Sequence, residues 1–279
     1  MSAEPATGRK VCLVTGASAG IGHAIALELL RAGHTVYGLA RRPERMGAIR
    51  AAGGHALAMD VGSEADLTRV TGAVLAAEGR IDVLVNNAGT VVHGSAEEVP
   101  PARAREVFEV NVFGPARLVQ LVLPGMRERG SGTIVNVSSI GGELALPLGA
   151  WYYASKHALE AYSDTLRQEV GRFGVRVVVV QPGVIRTGFE DDTPRQLLEY
   201  SGRGPYAAAA ETMAARAERA FGARPIGSDP AVVGRAVARI VAARRPRPRY
   251  PVGHLARLLL GLNRLLPDRL FDRMVTPQA

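Results

Sequence analysis

The chain has 279 residues, of which 47% are hydrophobic, and it carries a formal net charge of +8 at pH 7. A single cysteine, Cys12, excludes an internal disulfide framework and fits a reducing compartment. No uncharged apolar run reaches the ~18 residues that a membrane-spanning helix needs, and the first residues lack the apolar core of a signal peptide. We therefore expect a soluble, cytoplasmic protein with enough apolar residues for a sizeable core.

Short apolar runs alternate with helical patterns over the first 180 residues. The expected strands are 11–15, 35–40, 56–59, 81–85, 133–137 and 175–180. The expected helices are 21–30, 63–78, one that begins near 101, and 150–172. This alternation predicts an α/β fold with a doubly wound, Rossmann-like parallel sheet and helices on both faces. Ligands of such folds bind at the carboxyl ends of the strands.

The alternation of strands and helices ends after residue 181, and no linker divides the chain. We expect one catalytic domain over 1–250, in which 187–226 form a helical flap over the substrate. A last helix of this domain is expected over 229–243, with Asp229 as N-cap and Pro230 at its first position. Residues 251–279 are expected to form a C-terminal basic helical extension.

The net charge is concentrated near the C-terminus. From Arg244 to Ala279, eight arginines face only two aspartates, which gives a net charge of +6. We expect a solvated face and no nucleic-acid partner. Leucines recur there at helical spacing between Arg257 and Arg264. That stripe could pack on the domain or a neighbouring subunit, lie on a membrane surface as a peripheral contact, or cover the substrate entrance of a partner subunit. It comprises Leu255, Leu258, Leu259, Leu262, Leu265 and Leu266.

A glycine-rich loop joins the first strand to the first helix. Its sequence is Thr15-Gly16-Ala17-Ser18-Ala19-Gly20-Ile21-Gly22. Glycines there allow a tight turn, close approach of the backbone to a ligand and close packing of the helix. The helix N-terminus then offers free N–H groups to a pyrophosphate. The spacing differs from the G-x-G-x-x-G fingerprint, and glycines alone could reflect plain turn chemistry.

A tyrosine and a lysine stand one helical turn apart at Tyr152 and Lys156. The chain contains only one other lysine, Lys10, although it has 34 Lys plus Arg. Retaining a lysine here indicates a need for a compact ammonium. We expect this ammonium to lower the pKa of the phenol and make it a proton-transfer catalyst. Tyr153 is also within helical reach of Lys156, and spacing does not choose between the two tyrosines.

The loop T-G-x-x-x-G-x-G resembles that of the short-chain dehydrogenase/reductase family. Further motifs of that family follow in its order, over residues 9–250: Asp60-Val61, Asn86-Asn87-Ala88-Gly89, Asn111, Ser138-Ser139, Tyr152-x-x-x-Lys156 and Pro182-Gly183. Together with the sequence Val-Tyr-Gly-Leu-Ala-Arg-Arg at 36–42, they look most like the hydroxysteroid and retinol dehydrogenase branch. The resemblance implies a nicotinamide cofactor and a homodimer or homotetramer.

The resemblance also implies roles for individual residues. The family's catalytic serine lies thirteen positions before its tyrosine, which selects Ser139 and Tyr152; Ser139 would polarise the substrate carbonyl and Tyr152 would transfer the proton. Asn111 would hold a water in contact with Lys156. The resulting cofactor site comprises Gly16, Ser18, Gly20, Ile21, Gly22, Asp60, Val61, Asn87, Ala88, Gly89, Tyr152, Lys156, Pro182, Gly183, Ile185 and Thr187.

The end of the second strand distinguishes NAD from NADP. An acidic residue about 20 positions beyond the glycine loop would bind the ribose 2′-hydroxyl and repel a 2′-phosphate. Ala40 stands there instead, followed by Arg41 and Arg42, whose guanidinium groups match a phosphate. We therefore expect NADP(H). The alternative is that the two arginines are solvated and bind no phosphate.

The substrate side is predicted to be apolar, which favours a bulky hydrophobic (steroid-, retinoid- or polyketide-like) ketone, aldehyde or alcohol. The candidate lining residues are Leu144, Leu146, Pro147, Leu148, Trp151, Phe189, Tyr206 and Met213. No two of the six histidines have metal-ligand spacing on one helix, so we expect no metal. Two alternatives to a ketone/alcohol oxidoreductase stay open: a non-catalytic NADP(H)-binding sensor or scaffold, and a dehydratase or epimerase on the same fold.

Overall fold

A parallel sheet of seven strands forms the centre of the computed structural model, which describes residues 8–221 and 226–276. The strand order is β3-β2-β1-β4-β5-β6-β7, and all neighbours run parallel. The strands are β1 (Val11–Thr15), β2 (Thr35–Ala40), β3 (His55–Ala58), β4 (Val83–Asn86), β5 (Gly132–Val137), β6 (Val175–Pro182) and β7 (Arg249–Val252). The expected doubly wound α/β fold is confirmed.

Helices cover both faces of the sheet. They are α1 (Gly20–Arg31), α2 (Gly47–Ala51), α3 (Glu64–Glu78), α4 (Pro101–Phe108), α5 (Gly114–Glu128), α6 (Ala150–Val170), α7 (Thr193–Ser201), α8 (Ala207–Phe221), α9 (Ala231–Ala242), α10 (Ala256–Leu265) and α11 (Asp268–Val275). The buried residues of α1 and α9 belong to one hydrophobic cluster, and those of α3, α5 and α6 belong to another.

Alternation along the strands explains the two clusters. In β1, Cys12 and Val14 face the α1–α9 side, whereas Val11 and Leu13 face the α3–α5 side. Successive side chains of a strand point to opposite faces, so a continuously apolar strand is buried on both. The reversal of strand order between β1 and β4 opens a crevice at their carboxyl ends, where ligands of such folds bind.

Strand β7 was not predicted. Its residues, Arg-Tyr-Pro-Val, lack an apolar run, and Pro251 weakens any strand pattern. The strand occupies the edge of the sheet beside β6, which is a position where a proline is tolerated. It lies across residue 250, the predicted boundary of the catalytic domain; the domain limits themselves stay a prediction.

The long helix expected from Pro101 is interrupted. A π-helical turn, Glu109–Phe113, separates α4 from α5, and Asn111 lies in it with 1% of its surface exposed. Such turns are rare and occur often at functional sites. The helix expected over 150–172 ends at Val170 and continues as a 3₁₀ turn to Phe173.

The described part of the expected flap region contains two helices joined by turns. Helices α7 and α8 share a small hydrophobic cluster of Leu148, Leu197, Ala210 and Ala214; residues 222–225 lie outside the described chain. Before α9, the side chain of Asp229 accepts a hydrogen bond from the Ala231 amide at 2.8 Å, as an N-cap does. Pro230 stands one position before the helix instead of at its first residue.

The C-terminal extension consists of α10 and α11. Its buried residues include Leu260 and Phe271, whereas Leu258 and Leu265 of the expected leucine stripe are exposed. Asn263 and Arg264 fix α10 to the loop after β5, because both donate to Glu143. Among the described residues, none of the helices combines the length and the apolar character required to span a membrane.

Candidate active site

The glycine loop is shaped by contacts that exclude side chains. Gly16 and Gly20 have φ of +67° and +55°, a conformation that favours glycine. A Cβ on Gly22 would lie 2.3 Å from Nδ2 of Asn87 and 2.4 Å from the Gly16 carbonyl. The N-cap residue of α1, Ala19, supplies no capping side chain. The first N–H groups of α1 are thus available to an anion, which fits the pyrophosphate of a dinucleotide.

Hydrogen bonds join this loop to the end of β4. The Thr15 hydroxyl accepts from the amides of Asn87 and Ala88, both at 2.9 Å. The Asn87 side chain donates to the Thr15 carbonyl, also at 2.9 Å. These bonds hold the two expected cofactor segments, 16–22 and 87–89, against one another at the carboxyl edge of the sheet.

Arg41 and Arg42 follow β2 directly and are exposed. Within the described residues, neither guanidinium group forms an ion pair or a side-chain hydrogen bond. Two unpaired arginines at the end of the second strand fit the 2′-phosphate of NADP.

The other expected cofactor residues surround the same edge. Asp60 accepts a hydrogen bond from the Gly62 amide at 3.0 Å, and Val61 is buried. Thr187 lies beside the glycine loop, because a Cβ on Gly20 would stand 3.1 Å from its methyl group. Gly183 donates its amide to the carbonyl of Val252 in β7 at 2.9 Å.

Three further expected residues of this site occupy the glycine loop and the end of β6. Ser18 and Ile21 belong to the loop and the first turn of α1, and Ile185 is buried just beyond Pro182, the last residue of β6.

Tyr152 and Lys156 project from the first two turns of α6 and are buried. The Lys156 ammonium donates to the Val137 carbonyl at 3.1 Å, at the end of β5. Its nitrogen lies 6.0 Å from the centre of the Tyr152 ring. Ser139, just beyond β5, accepts a hydrogen bond from the Gly141 amide at 3.0 Å. The structure thus gathers these three expected catalytic residues around the end of β5.

The pKa of Tyr152 is raised, not lowered as the sequence led us to expect. Burial is the largest cause and the charge of Glu190 the next, while a hydrogen bond with Ser139 acts in the opposite direction. Burial also lowers the pKa of Lys156 to about 8, against the opposing effect of Glu160. Desolvation is the largest cause of both shifts, because both groups lie in the protein interior.

Asn111 is held by direct hydrogen bonds to protein groups. Its carbonyl oxygen accepts from the Thr90 amide at 2.8 Å, and its Nδ2 donates to the Thr90 carbonyl at 2.9 Å and to the Ser155 hydroxyl at 3.0 Å. Ser155 in turn donates to the Tyr152 carbonyl at 2.7 Å. The π turn is thereby tied to α6 beside Tyr152. The expected water between Asn111 and Lys156 stays a prediction.

Tyr153 has the surroundings of a packing residue. Its ring meets Tyr152 edge to face, with the centroids 5.4 Å apart. A Cβ on Gly141 or Gly149 would lie 2.8 Å or 2.5 Å from the Tyr153 ring. The ring therefore fills the space that these two glycines leave.

The expected substrate residues lie in different environments. The Phe189 ring lies 6.2 Å from that of Tyr152 and is 38% exposed. Leu144 is buried, and Leu146 is half-buried. Trp151 packs against the small cluster of Val92, Val99 and Val107. Of these expected substrate residues in the described chain, only Phe189 has its ring next to that of Tyr152.

Sequence reasoning missed a polar group on this side. Glu190 forms a hydrogen bond with His93, with 3.1 Å between Oε2 and Nε2, and accepts from the Thr193 hydroxyl at 2.7 Å. The sequence contained one indication of this group, because an acidic residue directly follows Phe189, which we predicted to line the substrate site. Its partner His93 is 97 positions away in the chain, so no local pattern connects them.

No group of three His, Cys, Asp or Glu side chains in the described residues could hold a metal ion.

Comparison with known proteins agrees with this geometry. The family model for short chain dehydrogenases matches residues 10–197. A protein named 3-ketodihydrosphingosine reductase, from Bacteroides thetaiotaomicron, is 35% identical over 269 residues, which span 94% of this chain and 95% of the relative.

Solved structures with the same fold are also similar in sequence. A short-chain dehydrogenase from Streptomyces avermitilis has a TM-score of 0.81 and 36% identity and covers 96% of both chains. Actinorhodin polyketide ketoreductase, solved with NADPH, has a TM-score of 0.73 and 31% identity over 88% of this chain and 96% of its own. The chain is an oxidoreductase that belongs to the short-chain dehydrogenase/reductase family.

Proposed function

We propose that this protein is an NADP(H)-dependent oxidoreductase that interconverts a ketone or aldehyde and an alcohol on a bulky hydrophobic substrate. The observation that carries the proposal is the grouping of Ser139, Tyr152 and Lys156 at the end of β5, on the edge of the sheet that also bears the uncapped glycine loop. The named reductase and ketoreductase among the similar proteins support a carbonyl group as the substrate.

NADPH, when bound, supplies the hydride that reduces the carbonyl carbon. The first amides of α1 would hold its pyrophosphate, and Arg41 and Arg42 would hold the 2′-phosphate that distinguishes it from NADH. The solved relative that contains NADPH supports this choice of cofactor.

The protein's own part in the reaction is to polarise the carbonyl and to deliver a proton. Ser139 would donate a hydrogen bond to the substrate oxygen, on which negative charge develops. Tyr152 would give its hydroxyl proton to that oxygen as the general acid. The nearby Lys156 ammonium would stabilise the phenolate that is left.

The phenol of Tyr152 is protonated in the free protein. Burial first, and then the charge of Glu190, raise this pKa above the ordinary value, so the phenol keeps its proton at neutral pH. A protonated phenol is the form that reduction needs. Oxidation of an alcohol would first require loss of this proton, which becomes easier as the pH rises.

The aromatic rings of Tyr153 and Phe189 beside Tyr152 support a hydrophobic substrate, of which steroid-, retinoid- and polyketide-like compounds are the candidates. Phe189 stands next to the reactive ring, and residues 187–226 would cover the bound substrate as a flap. We further propose that the protein works in the cytoplasm as a homodimer or homotetramer.

A substrate screen tests the proposal directly. Purified protein is mixed with NADPH or NADH and a panel of lipophilic ketones, and cofactor consumption is followed by absorbance. We expect consumption of NADPH with at least one ketone and slower consumption of NADH. Tight NADPH binding without turnover of any carbonyl or alcohol would favour a sensor or scaffold instead.

A further inference from the structure

A small cavity lies at the amino-terminal edge of the sheet, opposite the edge that bears the candidate active site. Its volume is about 220 Å³, and its walls come from the residues before β1 and β4 and from the beginnings of β5 and β6. Strand β1 has five residues, so roughly 16 Å of extended chain separates this cavity from the glycine loop. The cavity is therefore not part of the cofactor site.

Basic side chains dominate the wall of this cavity, which we call the basic cavity. Arg9, Lys10, Arg80 and Arg176 line it. Asp82 is the only acidic residue among the lining residues that the structure describes. Four positive charges against one negative charge leave a net charge of +3 around a small volume, and such a concentration of one sign attracts anions.

The one carboxylate of the basic cavity is already used by the protein. One oxygen of Asp82 accepts from the Val11 amide at 2.9 Å. The other accepts from Nε of Arg80 at 2.7 Å and from Nη2 of the same side chain. Within residues 8–221 and 226–276, no carboxylate forms an ion pair with the other three cations. Their charges are therefore not neutralised by contact with an acid in this part of the chain.

The three remaining cations use only some of their donors on the protein. The Lys10 ammonium donates to the Val241 carbonyl in the last turn of α9. Arg176 donates from Nη1 to the Ala243 carbonyl at 2.8 Å and to the next carbonyl at 3.3 Å. Arg9 donates from Nε to a hydroxyl of β2 at 2.6 Å. An ammonium has three donors and a guanidinium five, so each of these groups keeps N–H donors for a further acceptor.

The cations of the basic cavity also repel one another. Burial first, and then the charge of Arg176, lower the pKa of Lys10 below its ordinary value, while Asp82 acts more weakly in the opposite direction. The side chain of Arg176 is only half-buried, so water enters at one side. An anion placed between these groups would replace repulsion with attraction, in surroundings where charges interact more strongly than in water.

The size and the chemistry of the wall favour a phosphate group as this anion. The cavity is smaller than the roughly 300–1,000 Å³ that drug-sized ligands occupy, so a small ligand suits it. Guanidinium groups bind phosphate oxygens in pairs, and an ammonium adds a compact charge. Ser131 and Thr133 also line the cavity, and their hydroxyl groups are further donors. A phosphate offers more acceptor oxygens and more charge than a carboxylate, so it uses more of these donors.

We propose that the basic cavity binds a phosphate group, either as inorganic phosphate or as the phosphate of a small monoester. The bound group would connect the amino ends of β1, β4 and β6 with the end of α9, and it would stabilise the folded protein by mass action. This site is independent of the carbonyl reduction proposed above, because its residues lie at the other edge of the sheet.

Calorimetric titration tests the proposal in the full-length protein saturated with NADPH, which occupies the phosphate-binding groups of the cofactor site. Sodium chloride keeps the ionic strength constant, so that screening does not differ between samples. Inorganic phosphate should bind saturably to the wild type. Arg176→Gln and Arg9→Gln should each weaken this binding by about 10- to 100-fold, the effect of one lost charge-assisted hydrogen bond. Arg9 is exposed, so Arg9→Gln keeps the test valid if Arg176→Gln does not fold.

Glycerol phosphate distinguishes the two forms of the ligand. Tighter binding than that of inorganic phosphate would identify a monoester, whereas equal or weaker binding would identify the free ion.

The matched control is Arg235→Gln, which removes the same charge from an exposed position of α9 outside the cavity and should leave phosphate affinity unchanged. Absence of saturable phosphate binding by the wild type would overturn the proposal. Unchanged affinity in the cavity variants would also overturn it, because the phosphate would then bind elsewhere. An equal loss in Arg235→Gln would do the same, since it would show attraction by the overall charge.

Discussion

The ammonium nitrogen of Lys156 lies 6.0 Å from the centre of the Tyr152 ring and is fixed by a hydrogen bond of 3.1 Å to the Val137 carbonyl. The lysine thus connects the end of β5 to the helix that carries the tyrosine. Its charge is buried close to the phenol, and in the proposed reaction it would stabilise a developing phenolate more than it would in water. The same burial makes the charge costly for the folded protein, which gives a measurable pH dependence.

Stability should rise with pH through this lysine. Its pKa is about 8 in the folded protein, against 10.5 ordinarily, because burial disfavours the charged form. Between these values the unfolded chain binds a proton that the folded protein does not, so the free energy of unfolding increases with pH. Urea unfolding of wild type and Lys156→Met should show the wild type gaining about 2 kcal/mol relative to the variant from pH 7 to 9.5. A pH-independent difference would refute the assignment.

The arginine pair after β2 should determine cofactor choice. Replacing Arg41 and Arg42 with alanine should raise the KM for NADPH by about 10- to 100-fold for each arginine that binds the phosphate, since each lost charge-assisted hydrogen bond is worth roughly 1.5–3 kcal/mol. The KM for NADH should change little. Arg45→Ala is the control, as Arg45 is exposed on the turn that follows. An unchanged ratio of the two KM values in the double variant would exclude the 2′-phosphate contact.

Gly22 should not tolerate a side chain. A Cβ there would lie 2.3 Å from the Asn87 side chain and 2.4 Å from the Gly16 carbonyl, so Gly22→Ala should destabilise the fold by about 1–3 kcal/mol and weaken NADPH binding. Gly72→Ala is the matched control, because a Cβ on this exposed glycine of α3 meets nothing within 4 Å. It should raise the free energy of unfolding by up to about 1 kcal/mol. Equal changes of the free energy of unfolding in the two variants would contradict the packing argument.

Asn111 should contribute to stability as well as to turnover. Asn111→Ala removes three hydrogen bonds and leaves the Thr90 amide without its partner, at a cost of about 1–3 kcal/mol in urea unfolding. Ser155→Ala leaves both bonds between Asn111 and Thr90 in place and should cost less. An unchanged free energy of unfolding in Asn111→Ala would show that the Thr90 contacts do not matter.

The arrangement of the sheet could be predicted wherever burial leaves a clear pattern. The limits predicted for β1 and β2 from their apolar runs, 11–15 and 35–40, are the observed ones, because these strands are buried on both faces. Strand β7 could not be found, because an edge strand with Pro251 needs no apolar run. The π turn at Asn111 was also not predicted, because a shift of one residue in the helical hydrogen-bond pattern barely alters the spacing of apolar residues.

The order of short motifs along the chain predicted residues that the fold brings together. Ser139, Tyr152 and Lys156 meet at the end of β5, as expected. The predicted direction of the Tyr152 pKa shift was wrong, because burial, which raises this pKa, depends on packing by segments that are distant in the chain. The pairing of Glu190 with His93 was missed for the same reason, since only the folded chain brings residues 97 positions apart into contact.

Replacement of the proposed proton donor tests the account most directly. Tyr152→Phe keeps the ring and removes only the hydroxyl, so NADPH binding, measured by calorimetry, should be unchanged. The kcat for ketone reduction should fall by about 10²- to 10⁴-fold, the usual contribution of a general acid. Tyr153→Phe, which retains the packing ring between Gly141 and Gly149, should stay within a few-fold of wild type. Near-normal turnover by Tyr152→Phe would contradict the account.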